Sequence, residues 1–214
     1  MKNKILIYAG IFGPLVYVIA VILGGILNQD YNHVLQPISD LIASGAPNKA
    51  LLDSLFAIYN LFVLLFGFAL FHFVKTNNHN PRKKLGVLGA IFLVAEGLFG
   101  LITLFVPEDI GGMHATSIST TGILHIVFAG LSSLTTMLTI LFMGFWFRKG
   151  KSLQKYGLYS FISVGCIFVS GGLAAASIAN GSWFGGLMER ITIGCFMQWL
   201  FVVALMMRAY NQRI

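Results

Sequence analysis

Apolar and polar positions along the chain do not alternate with a strand-like period of two. They form six long apolar runs parted by short polar stretches. A helix rises 1.5 Å per residue and crosses a hydrocarbon core of about 30 Å in roughly 20 residues. The runs at 5–27, 53–74, 85–106, 120–147, 156–179 and 191–207 match that length. The pattern therefore predicts an all-α polytopic membrane protein, a bundle of six transmembrane helices forming one domain over 1–214. The first run follows Lys2 and Lys4 and is longer than the apolar core of a cleaved secretory signal, so it is expected to be retained as an anchor. The long fourth run ends on Trp146 and Phe147, where aromatic anchoring at the membrane interface is expected.

Composition supports the same class. Of 214 residues, 57% are hydrophobic and only 10% charged, with a mean hydropathy of +0.84. A water-soluble fold has too little interior to hide that much apolar surface. Two cysteines exclude a disulfide scaffold; Cys166 and Cys195 have no partner at ligand spacing and read as inert packing residues.

Charge sets the expected orientation. Twelve of the 14 basic residues fall on one side of the runs, chiefly in KTNNHNPRKK and RKGKSLQK; Lys49 and Arg190 fall on the other. Asp30, Asp40, Asp53, Glu108, Asp109 and Glu189 take the side opposite the basic clusters. Lys and Arg are retained in cytoplasmic loops, so both termini are expected in the cytoplasm of a cell with a multi-pass inner-membrane protein. The basic clusters would then lie against anionic lipid headgroups. The net charge of +7 thus carries no nucleic-acid reading, since no aromatic-interleaved basic surface accompanies it.

Small and weakly polar residues recur at helical spacing on three runs: Gly86, Gly89, Leu93, Glu96, Gly100 and Thr103; Gly122, His125, Ala129, Ser132 or Ser133, Thr136 and Thr139; and Ser160, Ser163, Ser170, Ala174 and Ser177. Close approach of small residues and polar contacts drive helix association in lipid, so these faces are expected to point inward. Asp53 opens the second run, and Glu96 is the one acid deep within a run. Desolvation at that depth favours the neutral acid unless a cation pairs with it, and an intramembrane acid is a functional candidate by default.

Asp40, Glu96, Asp109, His125, Glu189 and Arg190 are the candidate site residues, expected to meet in one outward-facing polar cavity with Glu96 at its floor. The structural alternative is that Arg190 pairs with Asp109 or Asp40 to lock helix ends. Asp30, His33 and Glu108 read as solvated loop residues. A metal site, zinc by ligand chemistry, would have to draw on Asp40, Asp109 and His125, because there is no HExxH, no His pair at i and i+4 and no Cys cluster. His114 and His125 stand too far apart to form such a pair alone. No cofactor is otherwise expected. Ser39 beside Asp40, and Ser117 or Ser119 near His114, lack a nucleophile-elbow motif.

Three segments, PISDLIASGAPNKALLDSLFAIYN, FVPEDIGGMHATSISTTGILHIVFAG and GLMERITIGCFMQWL, lie in that order within the six runs. With Pro107, Asp109, Gly122 and His125 in the second, Ser39 and Asp40 in the first, and Glu189 and Arg190 in the third, the chain resembles the prokaryotic membrane family known as domain of unknown function 998. The resemblance implies a six-helix membrane protein and no assigned reaction. From the expected cavity, function is expected to be binding or transport of a small solute or lipid headgroup, with protonation of Glu96 or His125 coupled to occupancy. The rivals are a metal-dependent membrane hydrolase of lipid esters or amides, and a non-catalytic partner subunit. Membrane lipid is the expected partner.

Overall fold

The computed structural model describes residues 2–77, 80–112, 115, 117–150 and 152–212. Six helices account for most of them: α1 (Lys2–Leu27), α2 (Lys49–Thr76), α3 (Lys83–Phe105), α4 (Thr120–Phe147), α5 (Gln154–Ala179) and α6 (Gly185–Asn211). All six are long and apolar enough to cross a membrane, and no strand occurs among the described residues. A 3-10 turn, Ile38–Ile42, sits in the α1–α2 connection. Helices are the expected solution in lipid, because every backbone N–H and C=O is satisfied within the segment.

Each helix packs on its neighbours in sequence, and α6 returns to α1, closing a ring. Arg208 of α6 stacks over Tyr8 of α1, and the Tyr210 hydroxyl donates to Asn77 Oδ1 at 3.0 Å, so both termini share the end that carries the basic loops. We call this the basic end and the opposite one the acidic end.

The helix contacts are made by small residues. A methyl at Gly97 of α3 would lie 2.9 Å from the Leu64 backbone nitrogen and 3.0 Å from the Asn60 carbonyl oxygen of α2. At Gly89 it would lie 2.9 Å from Met143 of α4. On α5 the inward serines Ser160, Ser163 and Ser170 return their hydroxyl hydrogens to the carbonyls of Tyr156, Tyr159 and Cys166 four residues back. That arrangement hides the polar groups within the helix. Ser160 Oγ also accepts from Trp199 Nε1 at 2.9 Å, joining α5 to α6.

The two ends differ in packing. The basic half is filled by Phe66, Leu70, Leu93, Met143, Trp146, Phe147, Trp199 and Met207, all essentially inaccessible. Trp146 and Phe147 therefore belong to the core and are not interfacial anchors. Trp146 lies edge-on to Phe73 and fills the space that Gly86 leaves. The cysteines also differ from the expectation. Cys166 is exposed on α5 and Cys195 is half-buried on α6, so neither thiol is sealed in the core.

The helices outrun their apolar cores. α2 begins at Lys49, where Lys49 Nζ pairs with Asp53 Oδ2 at 2.7 Å on the same face. α6 begins at Gly185, six residues before the apolar run, so Glu189 and Arg190 lie inside the helix. Charge does not end these helices, because each charged group has a partner on the helix or on a neighbouring loop.

Candidate functional site

A cavity of about 220 Å³ lies in the acidic half of the ring. Glu96 from α3, His125 from α4 and Glu189 from α6 line it, together with Tyr17, Tyr59, Asn60, Ser132, Ser133, Thr136 and Thr192. Ile38, Ser39 and Ile42 of the 3-10 turn also contribute, and Ile38 and Ile42 are buried. The volume exceeds a single water site but falls short of the roughly 300–1,000 Å³ of a pocket for a drug-sized ligand. Among the described residues no Lys or Arg lines this cavity.

Glu96 is buried within it. Its Oε1 accepts a long hydrogen bond of 3.4 Å from the Ser132 hydroxyl, and its Oε2 has no partner. Glu96 is nine residues from the end of α3, which places it about 14 Å below the acidic end of the helix. His125, one turn into α4, approaches the Val106 carbonyl oxygen through Nδ1 at 3.0 Å. A carbonyl can only accept, so Nδ1 carries the hydrogen and Nε2 is the ring nitrogen left over.

Glu189 and Arg190 fasten the α1–α2 loop to α6. Glu189 Oε2 accepts from the Ile38 backbone N–H at 2.7 Å. Arg190 Nη1 donates to the carbonyls of Gln36 and Gly186, each at 2.9 Å, and Nη2 contacts the Tyr31 hydroxyl and His33 Nδ1. The guanidinium also lies over the Tyr31 ring. Burial pushes the Tyr31 phenol up, against the pull of Arg190, so it remains a neutral hydroxyl that in turn donates to the Pro37 carbonyl at 2.7 Å. Partial desolvation, and then the charge of Arg190, hold His33 below the usual imidazole range. Arg190 therefore secures a loop through neutral partners, and neither Asp40 nor Asp109 pairs with it.

Asp109 has a local task. Its Oδ2 accepts from the Ser119 N–H at 2.8 Å and its Oδ1 from the Ser119 hydroxyl at 2.7 Å, while Ser119 Oγ accepts from the Gly122 N–H as the N-cap of α4. The Ser119 hydroxyl and backbone hydrogen bonds hold the Asp109 carboxyl below the usual carboxylate range. The acid also neutralises the positive end of the helix dipole. A methyl at Gly122 would displace the Asp109 carboxylate from this position.

Asp40 lines a second hollow of about 310 Å³ with Gln36, Glu108 and Trp183. Burial, and then the charge of Glu108, raise its carboxyl above the usual range, and the Gln36 amide donating to Oδ2 at 3.2 Å partly offsets this. Glu108 is itself buried, with Oε2 unpartnered, and does not behave as a solvated loop acid. Asp30 and His33 are exposed. His79 and His114 lie outside the described residues.

Of the six candidate residues, then, Glu96, His125 and Glu189 border one cavity, Arg190 stands beside it facing the loop, Asp40 borders another hollow and Asp109 holds Ser119, the N-cap of α4. The set Asp40, Asp109 and His125 is dispersed by these separate tasks. Among the described residues no three His, Cys, Asp or Glu side chains gather as a metal-holding group. Sequence reasoning passed over Asn60, although a lone amide in the run LFAIYNLFVLL is a signal. It also passed over Tyr31 and Gln36, whose roles depend on contacts more than 150 residues away.

No curated protein and no solved structure matches the chain. A family model does match, over residues 11–206, and its description is Protein of unknown function (DUF998). Six helices long and apolar enough to span a membrane, and this match over nearly the whole length, lead to one conclusion: the chain is a multi-pass membrane protein that belongs to the DUF998 family.

Proposed function

We propose that the protein binds the hydrogen-bond-donating head of a small solute or lipid in the cavity of its acidic half, with Glu96 as the acceptor at the floor. One observation carries the reading: the Glu96 carboxyl borders a cavity and is buried with Oε2 unpartnered. Buried polar atoms are almost always satisfied, and leaving one unmade costs about 1–3 kcal/mol. A ligand donor at Oε2 removes that penalty. His125 and Glu189 line the same cavity, and the 3-10 turn, fastened through Glu189, forms its roof.

Binding is favoured over open passage because the basic half is closed by packed aromatic and aliphatic side chains. We place the basic end in the cytoplasm of a cell membrane, following the retention of Lys and Arg on that side. A metal-dependent hydrolase built on Asp40, Asp109 and His125 draws no support from the arrangement, since Asp109 is engaged at the start of α4 and Asp40 at a separate hollow.

The test uses protein in phosphatidylcholine nanodiscs titrated with butylamine and butanol, small probes with donor heads. Saturable thermal stabilisation by either probe, weakened about tenfold or more in Glu96→Gln, is the expected result. Identical titrations for wild type and Glu96→Gln would contradict the assignment.

A further inference from the structure

We propose that α4 and α5 part toward the acidic end to form a lateral entrance, through which a single-chain amphiphile with an amine head reaches the cavity from the membrane. This rests on the cavity being a binding site, as proposed above, and adds the route and the ligand class.

Burial changes along two facing stripes. On α4, Gly144 packs against Phe161 and Ser160 of α5, which identifies the stripe that faces α5. Followed outward at helical spacing, that stripe passes through Ile140 (0% exposed) and Met137 to Ser133, Gly130 and Ile126, all exposed, Ile126 at 38%. On α5 the matching stripe starts at buried Gly157, against Arg148, and passes Phe161 and Val164 to Phe168 (70% exposed), Gly172 and Ala175. Both surfaces that meet at the basic end are therefore bare at the acidic end. A methyl placed on Gly130, Gly165 or Gly172 would touch nothing within 4 Å.

The contacts of each helix say the same. Toward the acidic end α4 leans on α3 through His125–Val106, Ser132–Glu96 and Phe128–Phe99. α5 leans on α6 through Ser170–Thr192 and Gly185–Ile178. Ser133 is both exposed and part of the cavity wall, so the gap between these helices leads inside. Access from the acidic end meets the roof of Ile38, Ser39 and Ile42 instead.

The chemistry of the route names the occupant. Its outer walls, Ile126, Phe168 and Gly172, suit an alkyl chain that stays in hydrocarbon. Its inner wall, with Ser132, Ser133 and Thr136, offers hydroxyls, and the interior offers two carboxyl groups without a lining Lys or Arg. A phosphate head would meet those acids with the wrong charge; an ammonium would pair with them. The tail holds the amine at the depth of the cleft, and the cavity takes the head.

The experiment compares dodecylamine, dodecanoate and butylamine on wild type, Gly130→Trp and Gly172→Trp in phosphatidylcholine nanodiscs. A dodecylamine carrying a terminal diazirine reports the contact site. Expected are labelling of α4 and α5 peptides around Gly130 and Phe168, competition by dodecylamine and not by dodecanoate, and about tenfold weaker dodecylamine binding in either Trp variant. Butylamine binding should be unchanged in both variants, which also shows that they fold. Labelling elsewhere, equal binding of dodecanoate, or Trp variants that bind dodecylamine normally would overturn the entrance while leaving the cavity reading intact. Failure of wild type to bind either amine overturns both. Oxidative cross-linking of Gly130→Cys, with Cys166 and Cys195 replaced by Ala, into a covalent dimer would show that a second copy covers the cleft and would overturn the entrance as well.

Discussion

The Glu189 carboxylate accepts a hydrogen bond of 2.7 Å from the backbone N–H of Ile38, joining the first turns of α6 to the 3-10 turn that roofs the cavity. The next residue, Arg190, grips the same loop through the Gln36 carbonyl. Two consecutive side chains thus hold a connection that has little regular structure of its own.

Arg190→Ala removes two donations to carbonyls and the stacking on Tyr31. It should lower stability by about 2–4 kcal/mol, given roughly 1.5–3 kcal/mol for a hydrogen bond from a charged group. Arg190→Lys should not restore it, since an ammonium lacks the planar fork that reaches several acceptors at once. Thermal unfolding in detergent measures the loss, and hydrogen exchange should show faster opening over residues 31–38.

Gly97 and Gly130 should respond in opposite ways to a methyl group. At Gly97 the added carbon meets the α2 backbone, which cannot step aside as a side chain can. Gly97→Ala should cost about 1–3 kcal/mol as overpacking. Gly130→Ala meets open space and should leave stability unchanged or raise it by up to about 1 kcal/mol through helix propensity. Paired melting curves decide; equal losses would mean the cleft side of α4 is packed.

How much of this was legible beforehand follows from the physics of each signal. Apolar run length predicts six spans, because crossing hydrocarbon demands it, and small residues at helical spacing mark the inward faces: Ser160, Ser163, Ser170 and Ser177 are all buried. Glu96 was conspicuous as an acid in an apolar run. Helix ends were less legible. A charge such as Arg190 argues against a span, yet the loop supplies its acceptors from residues far away in sequence. The separate tasks of Asp40 and Asp109 were hidden for the same reason, since an acid that holds a helix's N-cap residue and one that borders a hollow look alike in a loop.

Asp109 should confer pH dependence on the start of α4. Its carboxyl is held below the ordinary value by Ser119, so the folded protein binds fewer protons in that window than the unfolded chain. Its contribution is complete above the ordinary carboxylate value near 3.8 and is lost as pH falls through the lower folded value. Hydrogen exchange at the first amides of α4 should accelerate over that acid range in wild type. In Asp109→Asn it should be fast and pH-independent there, beyond the intrinsic exchange chemistry.

Asp40 should behave in the reverse sense. Burial and Glu108 raise its carboxyl, so the folded state holds its proton longer than the unfolded chain and stability declines as pH rises from 3.8 through the raised value. Asp40→Asn keeps an oxygen for Gln36 and cannot ionise. It should unfold at a higher temperature than wild type at neutral pH, with the difference vanishing in acid.

The Glu96 carboxyl itself reports most directly on whether the cavity takes a donor head. Infrared difference spectra of protein in nanodiscs, recorded with and without butylamine, should show a carboxyl band that changes on binding, saturates with the thermal titration and is missing in Glu96→Gln. A spectrum in which saturating butylamine leaves the carboxyl bands unaltered, or alters them equally in Glu96→Gln, would contradict the account.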